Sequence, residues 1–358
     1  MATLEQMVSE YPYSDTPCTD RGNGNAPSTV TDLISLFGIT ETDVAGIKET
    51  TFLYKQVLPR GHLIAIVGEP GAGKTTVMEY VCGFIEGTVL YITADISAGD
   101  LPEAHRRATK GGYTLLAPDN KVGMSMDDVM EILTRMSASD ADLSDVTIVI
   151  DTLKKITDVI SKRTSAAIYK MLRSLTGRGA TVICLGHCNK YPDAQGYPIY
   201  EGTGDLRSDF DELALLHGMK GNYGAITTSL YWSEQELPWG KSRAMVQPIT
   251  WLIDVEDNRT VSVSDEWVDT VAESKEKREA MRTADVIREI FFTLTKNGSM
   301  NQSSTIASLG GIHGERVIKR VLKSQIDKTW TVQKGEHNAD IYSHIPDAEL
   351  PALRSVSW

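Results

Sequence analysis

The sequence predicts an α/β protein with a central, mostly parallel sheet and a small C-terminal helix-turn-helix unit. Three observations carry this. Short apolar runs alternate with helical segments between residues 63 and 185, as crossover-connected strands require. A glycine-rich signature follows directly on one of those runs. After about residue 284 the pattern changes to amphipathic helices and a hairpin.

Residues 1–29 are rich in Pro, Gly, Asn, Ser and Thr (Tyr11-Pro12-Tyr13-Ser14, Arg21-Gly22-Asn23-Gly24-Asn25) and read as a flexible arm. The core spans 30–268. Its first strong strand, Leu63-Ile64-Ala65-Ile66-Val67, leads into Gly68, Glu69, Pro70, Gly71, Ala72, Gly73, Lys74, Thr75 and Thr76, and a helix follows over Thr76–Ile85. This is G-x-x-x-x-G-K-[ST] between a buried strand and a helix, a P-loop in its proper setting. The glycines let backbone N–H groups turn toward phosphate oxygens. Lys74 is placed to reach the β- and γ-phosphates, and Thr75 offers a hydroxyl to Mg²⁺. The expected ligands are therefore ATP and Mg²⁺.

Strands follow at 89–93, 146–150 and 180–185, with helices near 101–109, 126–136 and 166–175 between them. Met124, Met126, Met130 and Met136 read as core filling on a helix face. Beyond Asp211, strand-like runs at 213–216, 226–230, 251–255 and 260–263, with turns at Gly221-Asn222 and Asp257-Asn258, predict antiparallel strands that extend the sheet. Residues 269–283, including the charged run Glu273 to Glu279, read as a solvated helix or linker.

Composition narrows the class. The chain has 358 residues, 23% charged, and a net charge of −12, so nucleic acid would be met only by local basic patches. No basic segment followed by an apolar core marks a secretory signal, and no stretch approaches membrane-spanning length. Cys18, Cys82, Cys184 and Cys188 lack C-x-x-C spacing, which suits reduced thiols and a cytoplasmic location.

Other side chains gather around the triphosphate. Asp151 ends the strand Ile148-Val149-Ile150 and can hold the Mg²⁺ shell. Asp95 closes the strand after the P-loop helix; it could activate the attacking water, or be a loop or capping acid. His187 follows the strand ending Leu185-Gly186, where a polar group can sense the γ-phosphate. Lys241 and Arg243, one residue apart on an extended segment, point the same way. They read either as cations directed to a neighbouring subunit's γ-phosphate or as a solvated pair.

With these elements in order, residues 31–264 resemble the RecA/DnaB superfamily of ring ATPases, and most closely the plasmid RepA-type hexameric helicases and their phage relatives. The motifs that carry the likeness are the P-loop, Asp151-Thr152-Leu153-Lys154-Lys155, Gly186-His187-Cys188-Asn189-Lys190, Tyr200-Glu201-Gly202-Thr203-Gly204-Asp205, Asp211-Glu212-Leu213-Ala214-Leu215 and the Lys241-Ser242-Arg243 pair. The resemblance implies a RecA-like P-loop NTPase core, Asp151 as Walker B acid, His187 as γ-phosphate sensor, and Lys241 and Arg243 as a trans-acting finger pair. It implies a homo-oligomeric ring, six subunits in the family's pattern, with single-stranded DNA in a channel lined by Lys154, Lys155, Lys162, Arg163, Lys190 and Arg207. Two departures stand out. The family has Glu where this chain has Asp95, and its Gly-Ser-Ser loop is Gly202-Thr203-Gly204 here.

In the unit over 284–346, helices at 284–294, 302–309 and 315–326 precede a hairpin that turns at Gly335-Glu336-His337-Asn338. The third helix sets Arg316, Lys319, Arg320 and Lys323 opposite its apolar face. This is the order of a winged helix-turn-helix, fit for duplex DNA or for a replication partner. Residues 347–358 form a tail. The function expected is an ATP-driven DNA helicase or translocase in replication; a filament-forming recombination mediator and an ATP-gated DNA-binding regulator are the alternatives.

Overall fold

The computed structural model describes residues 30–41 and 51–351, apart from 160, 194–195, 203, 221–224, 233–236, 255 and 258. The arm over 1–29, Cys18, Thr203, the Gly221-Asn222 turn, Asn258 and the last seven residues lie outside the described set. The chain divides into a unit over Met1–Glu49 and a unit over Thr50–Trp358. In the first, α1 (Val30–Phe37) leaves Val30 and Ile34 exposed.

The second unit is built on nine strands. In chain order they are β3 (Leu63–Gly68), β4 (Thr88–Thr93), β5 (Thr114–Leu116), β6 (Val146–Asp151), β7 (Thr181–His187), β8 (Glu212–Lys220), β9 (Ala225–Tyr231), β10 (Ile249–Asp254) and β11 (Val261–Val263); a small β1–β2 pair (Phe52–Tyr54, Leu58–Pro59) precedes them. Their order across the sheet is β11-β10-β9-β8-β3-β7-β6-β4-β5. From β8 to β5 all neighbours are parallel, and β9, β10 and β11 continue antiparallel. The sequence pattern grouped β8 with the antiparallel set; the structure pairs it parallel to β3, because the segment between β7 and β8 crosses back to the same end of the sheet.

Both faces of the parallel part are covered, which is why its central strands are buried at nearly every position and mostly apolar. On one face Leu63, Ala65 and Val67 pack with α4 (Met126–Ala138) and α5 (Lys162–Gly177) through Leu133, Tyr169, Leu172 and Leu175. On the other, Ile64 and Ile66 meet α2 (Lys74–Cys82) and α3 (Leu101–Gly111) through Val77, Met78, Val81 and Ala108. Burying apolar side chains on both faces is the main favourable term, about 1.5–3 kcal/mol for each large one. Met126 belongs to this core and Met130 and Met136 pack against it, whereas Met124 is exposed: it precedes the helix, whose cap is Ser125.

The P-loop helix begins at Lys74 and ends at Cys82, not at Thr76 and Ile85. Gly73 is its N-cap in a left-handed conformation, so the helix starts inside the motif, and Gly83 ends it. The short α6 (Asp205–Asp209) precedes β8.

The charged run 273–279 lies within α7 (Thr270–Asn297), one continuous helix of 28 residues that also contains the segment 284–294. It holds neither Gly nor Pro, so nothing breaks it. Its start is capped by Asp269, whose carboxylate accepts from the Ala272 amide. Its second half buries Val286, Ile287, Ile290 and Leu294 against α8 (Gln302–Leu309), α9 (Glu315–Ser324) and the sheet of β12 (Met300–Asn301), β14 (Asp340–His344) and β13 (Trp330–Lys334). Trp330 anchors this core, its indole N–H donating to the Leu322 carbonyl at 2.8 Å.

Candidate active site

The loop after β3 needs glycine twice. Gly71 and Gly73 hold φ of +79° and +89°, and a Cβ on Gly73 would lie 2.5 Å from Ile253 Cδ1 on β10. Strands β8, β9 and β10 form the loop's seat. Thr228 on β9 donates its hydroxyl to the Ala72 carbonyl at 3.1 Å, and a Cβ on Gly218 of β8 would come within 2.9 Å of the Ala72 Cα. Neither residue carries a motif, so sequence reasoning had no signal for them.

Lys74 is buried, and its ammonium donates to the carbonyls of Gly68 (2.8 Å) and Glu69 (3.0 Å). Burial pushes its pKa down from the usual lysine value. The Thr75 hydroxyl donates to Asp151 Oδ2 at 2.8 Å, and the Tyr91 hydroxyl donates to the same oxygen at 2.8 Å. Burial pushes the Asp151 carboxyl up, opposed by these two hydroxyls and by Lys74. Strand β7 lies between the P-loop strand and the Asp151 strand, which sets the hydroxyl and the carboxylate across one small gap. One hydroxyl and one carboxylate fit Mg²⁺, which takes few protein ligands and completes its shell with phosphate and water. Among the described residues there is no cluster of three or more His, Cys, Asp or Glu that would form an all-protein cage.

These groups open into a cleft of about 500 Å³, the size of a small-molecule site. Asp95 and His187 both line it. His187 ends β7 level with Gly68, and burial, with Lys74 and Lys154 adding to it, pushes its imidazole pKa down, which favours the neutral ring. Asp95 is half-exposed, and its Oδ1 lies 2.7 Å from Lys155 Nζ. The sequence sorted Lys155 with the channel cations; the structure joins it to Asp95 on the rim of the cleft.

A second trio was not anticipated. Arg107 grips Glu79 with two hydrogen bonds (2.8 and 3.1 Å), and Arg259, from the turn before β11, lies 3.6 Å from the same carboxylate; all three line the cleft. Arg259 is far from the P-loop in sequence, and only the packing of β10 and β11 brings it there.

Lys241 and Arg243 do not line this cleft. Lys241 pairs through its backbone with Leu213, which lies beside Ala65, upstream of Gly68 on β3. Its ammonium donates to the Arg207 carbonyl (2.7 Å) and to those of Ser208 and Phe210, closing the end of α6. Arg243 pairs with Asp211 at 2.6 Å. Of the other cations, Lys154, Arg163 and Lys190 are exposed and Arg207 is half-buried, while the Lys162 side chain lies outside the described set. On α9, Arg316, Arg320 and Lys323 are exposed and Lys319 pairs with Glu315 at 2.5 Å.

Residues 39–193 match the family model for the AAA domain. The core has a RecA-like P-loop NTPase fold, with a mostly parallel central sheet. An ABC transporter ATP-binding protein of Streptococcus agalactiae serotype V is 36% identical over 90 residues, covering 24% of this chain and 16% of its own. A protein of the same description from Enterococcus faecalis is 34% identical over 76 residues, covering 20% and 13%. The chain thus spans less than a fifth of the length of those relatives. The flagellar accessory protein FlaH from Methanocaldococcus jannaschii superposes with a TM-score of 0.40 at 12% identity, covering 58% of this chain and 91% of that one. No helix among the described residues is long and apolar enough to cross a membrane.

Proposed function

We propose that the chain is an ATP-hydrolysing DNA helicase or translocase of the RepA/DnaB type, acting in replication in the cytoplasm as a homo-oligomeric ring, a hexamer by the family's pattern. The observation that carries this reading is the place of Lys241 and Arg243. They sit toward the upstream end of β3 and β8, away from the P-loop cleft. From there they could serve a γ-phosphate only in a neighbouring molecule. A contact between one subunit's cleft and the next one's upstream end is head-to-tail, and such contacts close into rings.

In this reading the P-loop amides and Lys74 bind the triphosphate, exchanging the Gly68 and Glu69 carbonyls for phosphate oxygens. Thr75 and Asp151 would hold Mg²⁺, which supplies charge neutralisation on the phosphates. Asp95 accepts a proton from the attacking water. His187 contacts the γ-phosphate and passes its loss to the segment after β7, and the exposed cations Lys154, Arg163 and Lys190 meet single-stranded DNA. Arg243 leaves Asp211 for the neighbour's phosphate. The C-terminal unit, read as a winged helix, offers Arg316, Arg320 and Lys323 to duplex DNA or to a replication partner.

Head-to-tail contacts that fail to close make filaments, and Asp95, a shorter acid than the family's Glu, suits slow turnover. A filament-forming ATPase is therefore the second reading. Negative-stain images with a non-hydrolysable ATP analogue, with and without single-stranded DNA, separate the two. Closed rings are expected, and open filaments would favour the second. Arg243→Ala should bind ATP as the wild type does yet turn it over at least about 10³-fold more slowly, as loss of an arginine finger does. A wild type that stays monomeric, with turnover indifferent to DNA, defeats the ring reading.

A further inference from the structure

The ion pair between Asp95 and Lys155 joins two parts of the molecule that otherwise have separate tasks. Asp95 stands at the end of β4 and lines the nucleotide cleft. Lys155 ends the 3₁₀ turn Leu153–Lys155, directly after the Asp151 strand. Main-chain bonds hold that turn firmly: the Lys155 amide donates to the Thr152 carbonyl and the Ile156 amide to that of Leu153, while Leu153 is buried in the core. The side chain of Lys155 is 41% exposed and that of Asp95 47%, so solvent and solutes reach both. An ion pair this exposed is weak, and a competing anion can take the lysine. Hydrogen bonding to Asp95 holds the ammonium above the usual lysine range, so it is fully charged near neutral pH.

We propose that Lys155 is a positioning residue that couples nucleic-acid phosphate to hydrolysis: it restrains the Asp95 carboxylate until a phosphodiester draws its ammonium away. This deepens, and rests on, the reading of the chain as a DNA-dependent ATPase. While the pair is closed, one Asp95 oxygen is committed to Lys155 at 2.7 Å and is not free to take a proton from water. Once Lys155 turns to a phosphodiester, the free carboxylate accepts a proton from water as the water oxygen bonds to the γ-phosphorus. The bridging oxygen then departs with its electron pair on ADP. Lys154 and Arg163, both exposed, are further cations on the neighbouring sequence that a polyanion can meet.

The test uses the full chain, Mg-ATP and an oligothymidylate as the single-stranded probe. In Lys155→Ala the DNA-free kcat should rise by up to about fivefold, the rate equivalent of one exposed ion pair. KM for ATP should stay unchanged, and added DNA should give little further gain. Lys155→Arg keeps the charge and should restore both the low basal rate and the response to DNA. A Lys155→Ala variant with the wild-type basal rate and full DNA stimulation overturns the coupling and leaves the motor reading intact. A wild type whose turnover ignores DNA, beside a Lys155→Ala variant that is still faster, overturns the motor reading and supports the restraint on Asp95.

Discussion

The two ends of the central sheet hold much the same inventory of charges and use it in opposite ways. At the downstream ends of β3, β4, β6 and β7, Lys74, Asp95, Asp151 and His187 face a cleft with bonding capacity left for a ligand. At the upstream ends of β3 and β8, the charges are spent on one another. Asp211 accepts from the Leu63 amide at 3.0 Å, from Arg243 at 2.6 Å and from Arg173. Glu212 is fully buried, with its Oε1 accepting from the amides of Arg243 and Ala244 and lying 2.9 Å from His62 Nδ1. A buried polar group is costly unless satisfied, and apart from Glu212 Oε2, which has no hydrogen-bond partner, the upstream end is closed on itself whereas the downstream end works by being open.

The largest effect that can break this contrast is at Lys74. Lys74→Ala should lower ATP turnover by at least about 100-fold, the scale for losing a preorganised charge at a reacting group. Losing its bonds to the Gly68 and Glu69 carbonyls is offset by relief of the ammonium's burial, so thermal stability should change little. A Lys74→Ala protein that unfolds several degrees earlier would place Lys74 with the structural charges.

The open end was the more legible in sequence, for a physical reason. A ligand site at strand tips is made from short strings with fixed offsets, such as Gly68 to Thr76 or Ile150-Asp151, and these read locally. The closed end is made by long-range pairs. Asp211 meets Arg173 38 residues away and Arg243 32 residues away, and no periodicity marks such partners. The same limit hid parts of the open end. Thr228 and Gly218, which seat the loop, and Arg259, which reaches Glu79, become visible only once β8 to β11 are laid beside β3. The pairing of Asp95 with Lys155 was hidden likewise, although each residue was singled out. The length of α7 was obscured differently: its exposed first half and buried second half look like separate elements, and only the absence of a breaker joins them.

Two histidines sharpen the comparison at one end of the sheet. His187 and His217 sit on the strands that flank β3, and burial lowers the pKa of both. His187 faces the cleft. His217 is closed off, its Nδ1 2.9 Å from the Thr270 hydroxyl where α7 docks on β8. Its pKa falls to about 4, with burial the main cause and Arg278 adding to it. A histidine whose folded-state pKa lies below its unfolded value contributes fully above pH 6.5, and that contribution is lost as the pH falls through about 4. The loss should reach about 3 kcal/mol below pH 4. His217→Gln keeps a neutral hydrogen-bonding group there and should flatten that part of the stability–pH curve from urea unfolding. The wild-type slope surviving in the variant would show that other groups carry it.

The smallest of these effects tests the closed end itself. Asp211→Ala removes three bonds, but their losses are unequal. Arg173 and Arg243 are 40% and 57% exposed, so each can be rehydrated and neither costs much. The Leu63 amide starts the P-loop strand beside a fully buried side chain, and without Asp211 its proton has lost its acceptor. That orphaned donor should dominate, at about 2 kcal/mol, read as a lower urea midpoint with an unchanged m-value. Asp211→Asn keeps an acceptor for Leu63 while weakening the pull on both arginines, and should recover more than half of the loss. If Asn recovers nothing, the ion pairs carry the closed end, and a charge exchange of Arg243 from Asp211 to a neighbour's phosphate would then carry a large stability penalty.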